Sequence, residues 1–106
     1  MVETRTEFVS EPMTPVPGTA DVSAMSRGEP GLPSRFVWRK QEHVVADLLR
    51  TWKSSIKELG ESYLKRHWYE IVTGSGLVLT IYCERQRRNP TRPKARWWVY
   101  TVSYKT

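Results

Sequence analysis

The chain has a single cysteine and no long apolar run, and each of these shortages excludes a class of protein. Cys83 alone cannot form an intrachain disulfide, so the disulfide framework of small secreted domains is excluded. The longest apolar run falls far short of the ~20 residues that a membrane-spanning helix needs. The N-terminus has no basic region followed by an apolar run, as a signal peptide would have. We therefore expect a cytoplasmic protein that does not enter a membrane.

Catalytic and metal-binding patterns are also missing. His43 and His67 are the only histidines, and with Cys83 they show none of the spacings of a zinc site. A Cys-His nucleophile is conceivable, but Cys83 is in phase with the apolar residues of a predicted strand, which favours an inert buried thiol. Ser75 lies between two predicted strands, whereas a nucleophile elbow joins a strand to a helix. The sequence predicts no enzyme, no metal site and no cofactor.

The composition changes sharply near residue 34. Residues 1–34 hold five of the seven prolines and have a net charge of −3, whereas residues 35–106 hold every tryptophan and tyrosine and have a net charge of +9. An acidic, proline-rich segment buries too little apolar surface to offset the entropy lost on ordering. We therefore predict a flexible leader over 1–34 and a small β-rich domain over 35–106. Within the leader, 7–15 is the stretch that best suits an ordered, extended edge segment.

Several runs in 35–106 have the alternation of β-strands. They are 35–40, 68–73, 77–83 and 96–104. The runs 68–73 and 77–83 flank Gly74-Ser75-Gly76, which predicts a hairpin. Strict alternation in the last run places Trp98, Tyr100, Val102 and Tyr104 on one face, and Trp97, Val99, Thr101 and Ser103 on the other.

The stretch 42–59 has two interpretations. Its large apolar residues recur at three- and four-residue spacing, which is the helical period, and Gly60 suits a helix end. Against a helix, Val44-Val45 and Thr51-Trp52 are typical of a strand, and 40–41 could turn a hairpin. From the residues alone the helix is favoured. The predicted fold is mostly β (α+β): a small antiparallel sheet or SH3-like barrel of three to five strands, with one helix or long excursion within 42–65.

The pattern of aromatic and aliphatic positions resembles a family of small bacterial proteins of unknown function. The positions that carry it are Phe36-Val37-Trp38-Arg39, Leu48-Leu49, Trp52, Trp68-Tyr69, Ile71-Val72-Thr73, Ile81-Tyr82 and Trp97-Trp98-Val99-Tyr100, with the leader segment 11–15. A related domain is found at the tail of some Y-family polymerase-like proteins of mutagenic repair. The resemblance implies a β-hairpin over 36–49 in a small barrel-like sheet, although this chain has Lys40 where the family places glycine. It implies no catalytic residues, and by context it favours nucleic-acid metabolism.

One pattern points to a partner. Six basic residues and no acidic residue fall within 85–96: Arg85, Arg87, Arg88, Arg92, Lys94 and Arg96. Pro90 and Pro93 prevent a helix there, so we predict a basic loop whose arginines suit phosphate oxygens. Exposed rings such as Trp97 and Tyr82 would offer stacking faces for unpaired bases, and Arg39, Lys40, Lys65, Arg66 and His67 could border the loop.

The predicted function is a binding module that contacts nucleic acid, as a single strand of DNA or RNA or without sequence preference, through the basic loop 85–96. The alternative is a protein-interaction or accessory module, for which aromatic residues beyond the needs of one small core would be the sign. A third interpretation assigns no binding function to these features. The loop would then only keep the protein soluble, and the tryptophans would only fill the core.

Overall fold

The computed structural model describes residues 4–57, 63–85 and 97–105 and shows a closed barrel of six antiparallel strands. The strands are β1 (Thr4–Pro15), β2 (Arg35–Trp38), β3 (Gln41–Lys57), β4 (Tyr63–Thr73), β5 (Val78–Arg85) and β6 (Trp97–Lys105), with a short helix α1 (Val22–Ser26) between β1 and β2. Each strand pairs with the next, and β6 returns to pair with β1. The mostly-β prediction is confirmed. The strand number is six rather than three to five, and the SH3-like form is not confirmed.

The core lies inside the barrel and follows the two-residue alternation of the strands. In β4, His67, Tyr69, Ile71 and Thr73 are buried, whereas the residues between them are partly exposed. The buried cluster comprises Met13, Phe36, Trp38, Tyr69, Ile71, Leu79, Ile81, Cys83, Trp97, Val99 and Val102. Four large aromatic rings in so small a domain provide much of the apolar burial that its short chain would otherwise lack.

Strand β1 belongs to the barrel, which corrects the prediction of a flexible leader over 1–34. It pairs with β6 from Thr4 to Met13 and with β2 at only Thr14 and Pro15. Most of β1 therefore has one partner strand, and a proline is tolerated in such a strand because its missing N–H removes no ladder bond on the open side. Met13 is 2% exposed and joins the core. The proline content suggested a flexible segment, but prolines are tolerated in a strand that is paired on one side only, as most of β1 is.

The rest of that segment packs against the barrel. Asp21 caps α1 by accepting hydrogen bonds from the backbone N–H groups of Ser23 and Ala24. The Tyr69 hydroxyl donates to the carbonyl oxygen of Pro30 at 3.2 Å, and burial raises the pKa of Tyr69. Among the described residues, no helix is long and apolar enough to cross a membrane.

Within the stretch 42–59, residues 42–57 belong to β3 and not to a helix, and residues 58 and 59 lie outside the described residues. The first residues of β3 pair with β2, and Val45 to Lys57 pair with β4. Two β-bulges interrupt this pairing, one between Val45 and Asp47 and one between Leu48 and Arg50. Each bulge adds one residue to β3 and so shifts the alternation by one position. Val45 and Leu48 therefore lie on the same side of β3, three residues apart and opposite the buried Thr73 and Ile71, whereas Trp52 lies on the other side, opposite Trp68. The helix prediction was wrong because a spacing that comes in part from a bulge was taken for the helical period.

The hairpin between β2 and β3 confirms what the resemblance implied. Trp38 pairs with Gln41, so Arg39 and Lys40 form a two-residue turn. Both have positive φ, 53° and 62°, as a type I′ turn requires. Residues other than glycine are strained at such positive φ values. Lys40 occupies the position that glycine would fill without strain.

The hairpin between β4 and β5 is present as the glycine turn predicted. Gly76 has φ of 93° and its N–H donates to the carbonyl oxygen of Thr73. In β6, however, a bulge opposite Thr80 and Ile81 adds Tyr100 to the strand. Trp97, Val99 and Val102 consequently face the core, while Trp98 and Tyr100 lie outside. The predicted division of this strand into two faces is correct up to Tyr100 and wrong after it.

Candidate functional site

The outside of the barrel carries a row of aromatic side chains at directly opposed positions of neighbouring strands. Trp52 of β3 lies opposite Trp68 of β4. Trp68 lies opposite Tyr82 of β5, which lies opposite Trp98 of β6. Tyr100 and Phe8 extend the row toward β1. We call these six residues the aromatic face: Phe8, Trp52, Trp68, Tyr82, Trp98 and Tyr100.

The rings of the aromatic face contact one another from end to end. The centroids of Trp52 and Trp68 are 5.8 Å apart with nearly parallel planes, and those of Trp68 and Tyr82 are 4.7 Å apart. Tyr100 meets Trp68 edge-on at 5.0 Å and Phe8 at 4.5 Å. Such pairs each add about 0.5–1.5 kcal/mol beyond the area they bury. The face is therefore a preformed, rigid surface.

Exposure varies along the aromatic face. Tyr82 lies in its middle and is only 5% exposed, because the neighbouring rings cover it. Burial raises the pKa of its phenol. Phe8 at one end is 67% exposed, and Trp52, Trp68, Trp98 and Tyr100 are partly exposed. A ligand would thus meet flat, partly exposed rings seated on a buried tyrosine.

Two arginines lie flat against this face. The Arg66 guanidinium is 4.7 Å from the centroid of Tyr82, and that of Arg50 is 4.5 Å from Trp52. Arg66 also pairs with Glu84 at 3.2 Å, so its charge is largely neutralised. Cation–π contacts of this kind contribute about 0.5–2 kcal/mol. They place hydrogen-bond donors beside the rings.

Two donors on the aromatic face lack an acceptor among the described residues. They are Nε1 of Trp98 and Nε of Arg66, both of which are buried. By contrast, Nε1 of Trp68 donates to Oγ of Ser54 at 2.7 Å. A buried donor without a partner costs about 1–3 kcal/mol. Because both atoms are buried, a ligand at the surface does not reach them, and they do not indicate the chemistry of a partner.

The structure corrects the expected exposure of Trp97 and Tyr82. Trp97 is 8% exposed and faces the core, opposite Met13 of β1. Tyr82 faces outward but lies beneath its neighbours, as described above. The expectation that both rings are exposed is therefore wrong. Trp52, Trp68, Tyr100 and Phe8, which the sequence analysis did not select, are the more accessible rings.

Most of the predicted basic loop lies outside the described residues. Arg85 is the last residue of β5, opposite Lys65 in register, and Trp97 begins β6. The five basic residues that lie outside the described ranges are Arg87, Arg88, Arg92, Lys94 and Arg96. Their contact with nucleic acid stays a prediction. Arg39 is engaged elsewhere, because it pairs with Glu11 of β1 at 2.8 Å.

The charges outside residues 85–96 balance. That part of the sequence has eleven basic and eleven acidic residues. The segment 85–96 alone carries six basic and no acidic residues, which equals the formal charge of +6 of the whole chain. The excess positive charge is therefore concentrated in the segment that joins β5 to β6, two of the strands that carry the aromatic face.

Cys83 is buried in the core, as its position in the strand predicted. In the described part of the chain, no three His, Cys, Asp or Glu residues are grouped so that they could hold a metal ion.

The profile of one protein family matches residues 2–104 of the chain. No curated protein and no solved structure matches it. The resemblance inferred from the aromatic and aliphatic positions is thereby confirmed at the level of the family. The bacterial origin and the relation to polymerase-like proteins stay predictions. Because the matched region spans nearly the whole chain, this protein belongs to the family described as Domain of unknown function (DUF6504).

Proposed function

We propose that this domain is a small binding module that contacts nucleic acid without sequence preference, through the basic residues of 85–96. The observation that supports this most directly is the charge distribution, because the sequence outside 85–96 has equal numbers of basic and acidic residues while 85–96 carries a charge equal to the whole formal excess. Arginine presents planar pairs of donors that suit phosphate oxygens. We assign the module no catalytic role.

The chain connects this charge to the aromatic face. Arg85 follows Tyr82 by three residues on β5, and Arg96 precedes Trp98 by two residues at the start of β6. Tyr82 and Trp98 are directly opposed. Small β-barrels that bind nucleic acid combine the same two features, a positive surface and aromatic rings.

The salt dependence of binding tests this proposal. We expect a thymidine oligonucleotide of about 16 nucleotides to bind at low ionic strength, with log affinity falling against log salt by about 0.7 per phosphate contact. Replacing Arg87, Arg88 and Arg92 together with alanine should flatten that slope by about two units. It should weaken all base sequences alike, because phosphate contacts position a protein without reading bases.

A matched control removes the same charge elsewhere. Arg5, Arg27 and Arg35 are exposed residues outside 85–96. Replacing these three with alanine lowers the net charge equally and should leave the slope nearly unchanged. If both triple variants flatten the slope alike, only the overall charge matters and the assignment to 85–96 is wrong.

A protein-interaction module is the second candidate, and the partly exposed aromatic face favours it. Protein interfaces are enriched in tyrosine, tryptophan and arginine. If the native domain shows no salt-dependent binding to DNA or RNA at low ionic strength, the nucleic-acid proposal should be dropped and the protein partner takes its place.

A further inference from the structure

We infer that the aromatic face stacks with unpaired bases, so that the module selects single-stranded nucleic acid. This rests on the proposed function, and it concerns residues other than those of 85–96. The claim is that phosphate attraction and base contact are separate properties of two regions of the chain.

The shape of the aromatic face suits bases rather than a sugar–phosphate backbone. Trp52, Trp68 and Trp98 are partly exposed. Together with Tyr82, which lies between Trp68 and Trp98, they occupy directly opposed positions of four adjacent strands. Flat rings accept any base, because every base has a π-face. The bases of a duplex are already stacked on each other and cannot reach such a surface. An unpaired strand can.

The electrostatics of the face also distinguish it from a phosphate site. Arg66 is neutralised by Glu84, and Arg50 lies opposite Glu70 in register. The face therefore contributes little net charge to attract a polyanion. Its affinity for a strand has to come from the rings, and we expect it to depend on the bases and only weakly on salt.

The experiment compares two oligomers of equal length and charge, one of thymidine and one of abasic deoxyribose phosphate. The native full chain is titrated with each over a range of salt concentrations. We expect both oligomers to give similar salt slopes. We expect the thymidine oligomer to bind at least about fivefold more tightly, since one base stacked on a ring contributes about that much or more.

Two variants sharpen the result. Trp52→Leu keeps the apolar volume and removes the flat ring at one end of the row. Phe8→Ala removes the most exposed ring of the face. Each should reduce the preference for thymidine without changing affinity for the abasic oligomer. Val22→Ala and Met25→Ala, at exposed apolar residues of α1, are the matched controls and should change neither.

The outcomes separate this inference from the proposed function. Equal affinity for the two oligomers, with a clear salt slope, overturns the stacking role and leaves phosphate binding in place. Absence of binding to either oligomer overturns both and favours a protein partner for the face. Because the first comparison uses the native chain, a variant that fails to fold does not obscure it.

Discussion

The inner and outer surfaces of the barrel both carry tryptophan and tyrosine, but only one of the two sets is enclosed. Phe36, Trp38, Tyr69 and Trp97 are each no more than 8% exposed and belong to one buried cluster with aliphatic residues of β1, β4, β5 and β6. The outer row runs from Phe8, which is 67% exposed, to partly exposed rings on β3, β4 and β6. A small domain must bury its inner rings in order to fold. The outer rings are additional to that need.

This difference indicates which aromatic residues are available for function. In β5, the residues Leu79, Ile81 and Cys83 face the core while Tyr82 faces outward. The apolar core is thus complete without the aromatic face. A rigid surface of partly exposed rings is costly to keep in water unless it is covered at times. We expect the inner set to stabilise the fold, and we propose that the outer set serves binding.

The largest expected effect comes from removing residues 1–34, which contribute to both surfaces. Met13 of β1 lies in the core and Phe8 lies on the aromatic face. Without β1 the edge of β6 would be unpaired and the barrel open. We expect the truncated chain to lose its cooperative thermal unfolding transition by circular dichroism. An unchanged midpoint would show that β1 is dispensable and would contradict the closed barrel.

Two phenylalanines provide a direct comparison of the inner and outer surfaces. Phe36 is fully buried, whereas Phe8 is 67% exposed. Phe36→Ala should lower the free energy of unfolding by about 3–5 kcal/mol, since it leaves a cavity in the core. Phe8→Ala should lower it by less than about 1 kcal/mol. Urea unfolding of both variants measures this, and similar losses would contradict the division into two sets.

A smaller effect of opposite sign is expected at the turn between β2 and β3. Lys40 has a φ of 62°, where a side chain costs about 1–2 kcal/mol and glycine avoids that cost. Glycine also makes the unfolded chain more flexible, which offsets part of this gain. Lys40→Gly should therefore stabilise the domain by about 0.5–1 kcal/mol. Lys53→Gly, in the middle of β3, is the matched control and should destabilise it. If Lys40→Gly and Lys53→Gly both lowered the free energy of unfolding by similar amounts, the turn would not be strained.

The smallest expected effect is a pH dependence at Glu11. Its carboxylate accepts hydrogen bonds from Arg39 and from Nε1 of the inner Trp38. The bond from Arg39, opposed in part by desolvation, lowers the pKa of Glu11. A lowered pKa in the folded state means that this stabilisation is complete above the unfolded value of about 4.3 and is lost as the pH falls through the folded value.

Glu11→Gln keeps an acceptor for Trp38 and removes the charge. We expect the difference in urea midpoint between the native chain and this variant to be larger at neutral pH than at about pH 3. Because the pair with Arg39 is exposed, the difference should be small and should shrink in high salt. A difference that does not change with pH would mean that the ion pair has no part in stability.

The sequence predicted the strands β2, β4, β5 and β6. It failed at β1, where the proline content suggested a flexible leader, and where a bulge changed the alternation. The glycines between β4 and β5 indicated their hairpin correctly, because positive φ at Gly76 has a clear residue preference. Nothing in the residues of β3 marks its two bulges, and these converted a strand alternation into an apparent helical spacing. The bulge at Tyr100 likewise reversed the predicted faces of the last strand.

The sequence predicted which types of residue the candidate site contains, but not which side chains lie in it. Composition indicated a basic, aromatic binding module, but it could not say which rings are enclosed. Alternation in 96–104 separates Trp97 from Trp98 without showing which one faces inward. That choice depends on contacts with Met13 and Phe36, which come from distant parts of the chain. Trp52 was missed because the predicted helix would not place it opposite Trp68 on a neighbouring strand.

The most direct test of the central claim is a nitrogen-15 NMR titration that follows the indole N–H signals of the five tryptophans. Trp52, Trp68 and Trp98 belong to the outer row, and Trp38 and Trp97 belong to the core. On addition of a thymidine oligonucleotide, we expect the three outer signals to shift and the two inner signals to stay in place. Shifts confined to the inner signals, or saturating binding with no outer signal moved, would contradict the assignment of the aromatic face to binding.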